Sequence, residues 1–239
     1  MTRHTLPGEP PVEITLRRSA RARRFSLRVS RLDGRVTLSM PARAREAEAL
    51  SFAEAKAGWL RTVLSATASR QSIAFGTPIP FEGQALTVTP APVRAVRIRA
   101  TELLVPATPE RLGARVAAFL KLAARQRLQA ACETHAATLG RDFARITLRD
   151  TRSRWGSCTA DGGLMFSWRL IMAPPEVLDY VAAHEVAHLA EMNHSPEFWA
   201  VVARLMPGYE RHRRWLRTHG GGLHRLDFAA GPADDAAGD

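Results

Sequence analysis

His184-Glu185-Val186-Ala187-His188 sets two imidazoles four residues apart with a carboxylate beside the first, and His194 follows six residues after the second. On a helix, positions i and i+4 share one face, so His184 and His188 can aim at one point. That is the ligand geometry of a catalytic zinc, which takes three protein ligands and keeps a fourth position open for water. Glu185 is then the natural general base for such a water, and not a ligand. His194 is the candidate third ligand. The five-residue pattern by itself is weakly specific; His194 and a helical setting narrow it.

The sequence around the motif supplies that setting. Pro174-Pro175-Glu176 suits a first helical turn, with proline tolerated at its start and an acid near the positive end of the helix. Val177, Leu178, Val181, Ala182 and Leu189 recur at helical spacing. Asn193 can take a left-handed conformation and end the helix. Ser195-Pro196 then reads as the N-cap and first position of the next one. His194 therefore sits at a break where the chain can turn back towards the first two histidines.

Composition narrows the class. A chain of 239 residues fits one large domain or two small ones and can bury a core without staples. Two cysteines, Cys132 and Cys158, make no disulfide framework. The first residues hold no apolar signal region, and no run approaches the roughly 18 apolar residues of a membrane span. A cytoplasmic location is the expectation, with no membrane partner. The formal charge is +11, and of the 34 basic residues only Lys56 and Lys121 are lysines. An arginine-rich surface can attract nucleic acid, nucleotides or acidic proteins, although a GC-rich genome produces the same excess.

In chain order, residues 1–11 read as a loose leader. Residues 12–106 read as a β-rich N-terminal region with one helix. Val12 to Leu16 alternates, as do Phe25–Val29 and Val36–Met40, with an Asp33-Gly34 hairpin turn between the last two. Arg43 to Ala68 has helical spacing. Short strands follow over 73–105, where Pro78, Pro80, Pro90 and Pro92 imply edges and turns. From 107 to 226 the pattern is that of the zinc-type domain. A long helix runs from Pro109 to Leu139 and ends at Gly140. His135 on it reads as a surface or satisfied histidine, and Cys132 as a small buried residue. Two short strands flank Arg152-Ser153-Arg154-Trp155-Gly156-Ser157-Cys158, and helices follow over Phe198–Leu205 and Tyr209–His219. An edge strand beside the cleft could hold an extended peptide by β-addition. Residues 227–239 read as a disordered tail.

Taken together, Arg154-Trp155-Gly156-Ser157-Cys158, Asp179-Tyr180-Val181 before the histidine motif, Asn193-His194-Ser195, Phe198-Trp199, Pro207-Gly208-Tyr209 and Trp215-Leu216 resemble the YgjP-like metallopeptidase family, also labelled SprT-like. The similarity is strongest over about 150–217 and visible in Arg24–Val29 and Pro41. It implies an α+β fold, with a zincin-like metallopeptidase domain and a small sheet beside the H-E-x-x-H helix. It implies one Zn2+ per chain on His184, His188 and His194, with Glu185 catalytic. Metzincins carry a glycine three residues after the second histidine; Glu191 stands there, so a turn through Asn193 must replace it.

The expected function is a zinc-dependent hydrolase, a metallopeptidase that cuts peptide bonds with a zinc-bound water and Glu185 as base. Arg154 is the candidate for stabilising the oxyanion, with Arg152 second. The expected partner is a peptide or protein substrate, with a nucleotide as the alternative and nucleic acid in weak association with the arginine-rich surface. Two alternatives stand beside the first reading. One is a metal-dependent nucleoside triphosphate pyrophosphohydrolase, to which some family members are linked; the chain has no G-x-x-x-x-G-K-[ST] phosphate loop. The other is a nucleic-acid-associated protein with a protease-like zinc site, although a closed structural site needs a fourth protein ligand and neither cysteine lies at ligand spacing.

Overall fold

The structure is a computed structural model that describes residues 2–30, 34–66 and 71–229. The chain folds into two units, residues 1–70 and 71–239. The sequence reading places its main division later, at 106/107. Strands over 73–105 join the second unit because Ile79, Leu86, Val88, Leu103 and Val105 bury in the same cluster as Leu112, Val116 and Leu120 of the following helix.

The first unit contains strands β1 (Thr2–Leu6), β2 (Val12–Ser19), β3 (Ser26–Val29) and β4 (Val36–Pro41), in the order β1-β2-β4-β3. The β2–β4 pair is parallel and the other two pairs are antiparallel. Period-two alternation turns Ile14, Leu16, Leu38 and Met40 to one face. There they bury with Ala49, Ala53 and Leu60 of helices α1 (Glu46–Glu54) and α2 (Ala57–Ala66). Part of the stretch expected to be a loose leader is thus strand β1, paired to β2 across its whole length. The expected single helix over 43–68 is two, parted at Ala55-Lys56. Asp33 of the expected hairpin turn lies outside the described residues, as do 67–70.

The second unit opens with β5 (Gln71–Ser72), β6 (Pro78–Phe81), β7 (Gln84–Ala91), β8 (Arg97–Arg99) and β9 (Glu102–Pro106). The last four form a sheet in the order β6-β7-β9-β8. Pro78 and Pro80 fall on an edge strand, as expected. Pro90 falls near the end of the inner strand β7, paired with Val105. Helix α3 (Leu112–Leu139) begins three residues later than its pattern suggests and ends at Gly140 in the left-handed region, φ 70°. His135 of α3 is buried and bonds Asp179 at 2.9 Å, so it is a satisfied histidine. Cys132 is buried, and burial pushes its thiol up to about 12.

Three strands, β10 (Arg145–Arg149), β11 (Gly156–Cys158) and β12 (Gly163–Ser167), form a small sheet in the order β10-β12-β11. A 3-10 turn, Trp168–Met172, leads into α4 (Pro175–Ala187), then α5 (Pro196–Leu205) and α6 (Tyr209–His219). After a second 3-10 turn, Gly220–His224, strand β13 (Leu226–Asp227) pairs with β5. Residues 227 and 228 of the expected tail are therefore part of the folded unit. Phe228 is buried edge-on against Trp168, ring centroids 5.2 Å apart. Gly113 of α3 makes that possible, since a Cβ there would meet the Phe228 carbonyl oxygen at 2.7 Å. Residues 230–239 lie outside the described residues.

One buried side chain clamps the segments around the site. Arg169 is 7% exposed and grips Asp150 with both arms of its fork, Nε to Oδ1 at 2.6 Å and Nη2 to Oδ2 at 3.1 Å. Its remaining arm donates to the carbonyls of Leu223 and Leu226, both at 3.0 Å. It thus ties the start of the 150–155 loop to the C-terminal segment. There the His224 ring packs on Trp155 at 5.2 Å. No helix among the described residues is long and apolar enough to cross a membrane.

Candidate metal centre

Helix α4 starts as its prolines require, with Pro174 at the N-cap and Pro175 first. It is apolar nearly all round: Val177, Leu178, Val181, Ala182, Ala183, Val186 and Ala187 are buried. The exception is the face carrying His184 and His188. The helix ends at Ala187, with His188 as its right-handed C-cap, φ −65°. The expected left-handed stop at Asn193 does not occur; Asn193 instead accepts a hydrogen bond from the Ser195 backbone through its side-chain oxygen, at 3.1 Å. The turn comes earlier because the Leu189 and Ala190 amides fold back onto the carbonyls of Val186 and Ala187. Beyond it, Ser195 caps α5 by accepting from the Phe198 amide, and His194 faces α4.

The three histidines converge. Their ligand atoms all lie within 4.8 Å of one another, and no Glu, Asp or Cys joins the group among the described residues. Nε2 of His184 and Nε2 of His194 are 3.1 Å apart. Two nitrogens on one tetrahedral zinc, each about 2.0–2.1 Å from it, would be separated by roughly 3.3 Å. Nδ1 of His188 donates to the Glu191 carbonyl at 2.9 Å, which leaves its Nε2 lone pair for a metal. Phe198, fully buried, floors the cluster with its ring centroid 4.9, 4.4 and 4.8 Å from those of His184, His188 and His194.

Protons compete poorly for the nitrogens of His184 and His188. Burial, then the neighbouring His188, His194 and Arg213, hold His184 down to about 3. Burial also lowers His188. Nδ1 of His184 is buried with no hydrogen-bond partner. Imidazoles with converging ring nitrogens are a donor set suited to a borderline-soft dication such as zinc.

Glu185 is 5% exposed and outside the histidine group. Burial pushes its carboxyl up to about 8, against the pull of the nearby Arg154 guanidinium. It packs directly on Gly156 of β11, where an added Cβ would run into the carboxylate and meet its Cγ at 2.6 Å. The glycine of the Arg154–Cys158 stretch is therefore a close-approach residue that brings the edge strand against the α4 carboxylate.

A cleft of roughly 320 Å³ opens from this point, lined by Arg154, Tyr180, His184, Glu185, Arg213 and Arg217 among others. Arg154 is exposed in it. Arg152 is exposed and does not line it. Sequence reasoning missed Tyr180, Arg213 and Arg217. Burial keeps the Tyr180 hydroxyl protonated, up to about 12, so it is available as a donor. Arg213 and Arg217 carry a visible signal in hindsight: they stand four apart on a helix with Tyr209 one turn earlier, and so share one face.

Comparison with curated proteins finds no match. Among solved structures, the chain is similar to the crystal structure of the metallopeptidase zymogen of Pyrococcus abyssi abylysin, at 20% identity and a TM-score of 0.35, over 38% of this chain and 93% of that one. A likeness at that level carries no argument. The model of the YgjP-like metallopeptidase domain matches residues 23–219, a span that takes in every residue of the histidine cluster and its cleft. Matched over well more than half its length, the chain belongs to the YgjP-like metallopeptidase family.

Proposed function

We propose that the protein is a zinc-dependent peptidase of zincin-like fold, with His184, His188 and His194 holding one zinc and Glu185 as general base. The observation that carries this reading is the convergence of three imidazoles beside a buried carboxylate that is not one of them. When bound, zinc would lower the pKa of a water molecule towards about 7 and polarise a carbonyl. Everything else falls to the chain. Glu185, with its carboxyl raised towards neutrality, takes the proton of the attacking water and returns it to the leaving amine. Arg154 and the protonated Tyr180 hydroxyl face the same cleft and can stabilise the oxyanion. Strand β11 is the edge of its sheet, so an extended peptide can lie along it by β-addition, next to Glu185.

The test is cleavage of unstructured protein such as casein by the metal-loaded enzyme, lost with a chelator and restored with zinc. Absence of any peptide cleavage by fully zinc-loaded protein would sink the reading. A second reading, nucleoside triphosphate hydrolysis, is favoured by the three arginines of the cleft. Parallel assay of nucleoside triphosphates decides between the two.

Two variants probe the parts. His194→Ala should lose most of its metal while keeping the fold, because His194 is exposed and sits in a loop. Full zinc by elemental analysis in that variant would remove His194 from the ligand set and direct attention to Glu191, Glu197 or Glu210. Arg154→Lys keeps the charge and loses the planar fork. If Arg154 acts on the oxyanion, kcat falls by roughly tenfold or more with little change in KM. A rise in KM alone would assign it to ground-state binding, and wild-type kinetics would remove it from the reaction.

A further inference from the structure

Two side chains of the cleft remain without a task in the hydrolysis itself. Arg213 and Arg217 stand one helical turn apart on α6 and line the same cleft as His184 and Glu185. Arg211 and Arg214 on the same helix do not line it.

Among the described residues, no carboxylate pairs with them. The acid that lines the cleft with them is Glu185, which is buried against Gly156 and belongs to the reaction. Arg213 is also held in place. Its guanidinium lies 4.5 Å over the Trp199 ring, and Trp199 stacks on Tyr209 at 5.4 Å with the planes 12° apart. A guanidinium ordered in this way loses less conformational entropy when it receives a ligand. Two forks about 5–6 Å apart at their Cβ atoms fit a planar, doubly accepting anion.

We propose that Arg213 and Arg217 form a subsite for a carboxylate of the peptide substrate, borne close to the scissile bond by an acidic side chain or by the chain terminus. The inference rests on the peptidase reading and names the substrate class of that same site: peptides acidic next to the cut. An uncharged amide of the same shape would leave both arginines without an ion pair and would offer one acceptor oxygen in place of two.

The experiment uses zinc-loaded full-length protein and matched peptides. One arm compares end-blocked peptides that differ only in Glu, Gln or Lys beside the cleavage site. The other compares the Gln peptide with a free and an amidated C-terminus. The Glu peptide, or the free-terminus peptide, is expected to exceed its neutral partner in kcat/KM by about 10–100-fold, the range for hydrogen bonds to a charged group. The gap should shrink as salt is raised. Arg217→Glu should move the preference from Glu towards Lys, which a structural role of Arg217 would not do; Arg213→Glu is the second variant, and both positions are exposed.

Binding of the same peptides to zinc-loaded Glu185→Gln protein is measured in parallel. Cleavage with equal kcat/KM for charged and neutral peptides, or a preference that Arg217→Glu and Arg213→Glu both leave unchanged, overturns the subsite and leaves the peptidase reading standing. Acid-selective binding that both variants abolish, with no cleavage by wild type, keeps the subsite and sinks the peptidase reading. Neither cleavage nor selective binding overturns both.

Discussion

Zinc-loaded Glu185→Gln protein is expected to fold, keep its metal and lose about 10²–10⁴-fold in turnover, the span that general-base catalysis supplies. The expectation follows from position. Glu185 stands outside the three-histidine group, 5% exposed, with burial pushing its carboxyl up to about 8. Glutamine keeps the shape that packs on Gly156, and so keeps the approach of β11 to α4. What it removes is the basicity of the carboxylate, since an amide oxygen accepts hydrogen bonds but does not take up a proton near neutral pH. Zinc content and single-turnover kinetics on the same sample separate the two properties. Loss of metal in this variant would show that the carboxylate ligates or supports the ligands, and the assignment of roles within the motif would have to change.

The largest effect on stability is expected at Arg169, which does not line the cleft. Arg169→Met removes a bidentate pair with Asp150 and leaves the carbonyls of Leu223 and Leu226 without their donor. Charge-assisted bonds contribute about 1.5–3 kcal/mol each, and unsatisfied buried acceptors cost a similar amount. With Asp150 half-exposed and able to regain water, a net loss of about 3 kcal/mol is the expectation, or a fall in Tm of roughly 6–12 °C. Burial raises the Asp150 carboxyl, but the Arg169 hydrogen bond and charge override it and hold the group below its ordinary value. A depressed folded-state pKa contributes stability above the unfolded value near 3.9 and loses it as pH falls through the folded value. The gap between wild type and Arg169→Met should therefore narrow below about pH 4. A gap that stays constant down to the acid transition would show that the Asp150 pair contributes nothing. Because the clamp anchors both the loop before Arg154 and the segment carrying His224, surviving folded protein should also show reduced kcat.

Much of the site is visible in the sequence because its rules are local. Two histidines at i and i+4 share a helix face wherever that helix lies, and Pro174-Pro175 and Ser195-Pro196 mark helix starts through φ and the missing N–H. The strands over 12–41, the long helix ending at Gly140 and the break at Pro207-Gly208 are legible for the same reason. Local rules also misplace what competition decides. Asn193 is a good left-handed residue, yet the helix stops at Ala187, where the His188 ring can reach the Glu191 carbonyl. Residues 2–6 are short and polar enough to read as a leader, and become a strand because β2 offers a free edge. Phe228 reads as the start of a tail and is buried because Gly113, over a hundred residues earlier, leaves room for its backbone. What only the tertiary structure decides is which distant side chains share the cleft. Arg154, Tyr180, Arg213 and Arg217 come from three separate segments, and their meeting beside Glu185 depends on packing over long sequence distances, which no local spacing encodes.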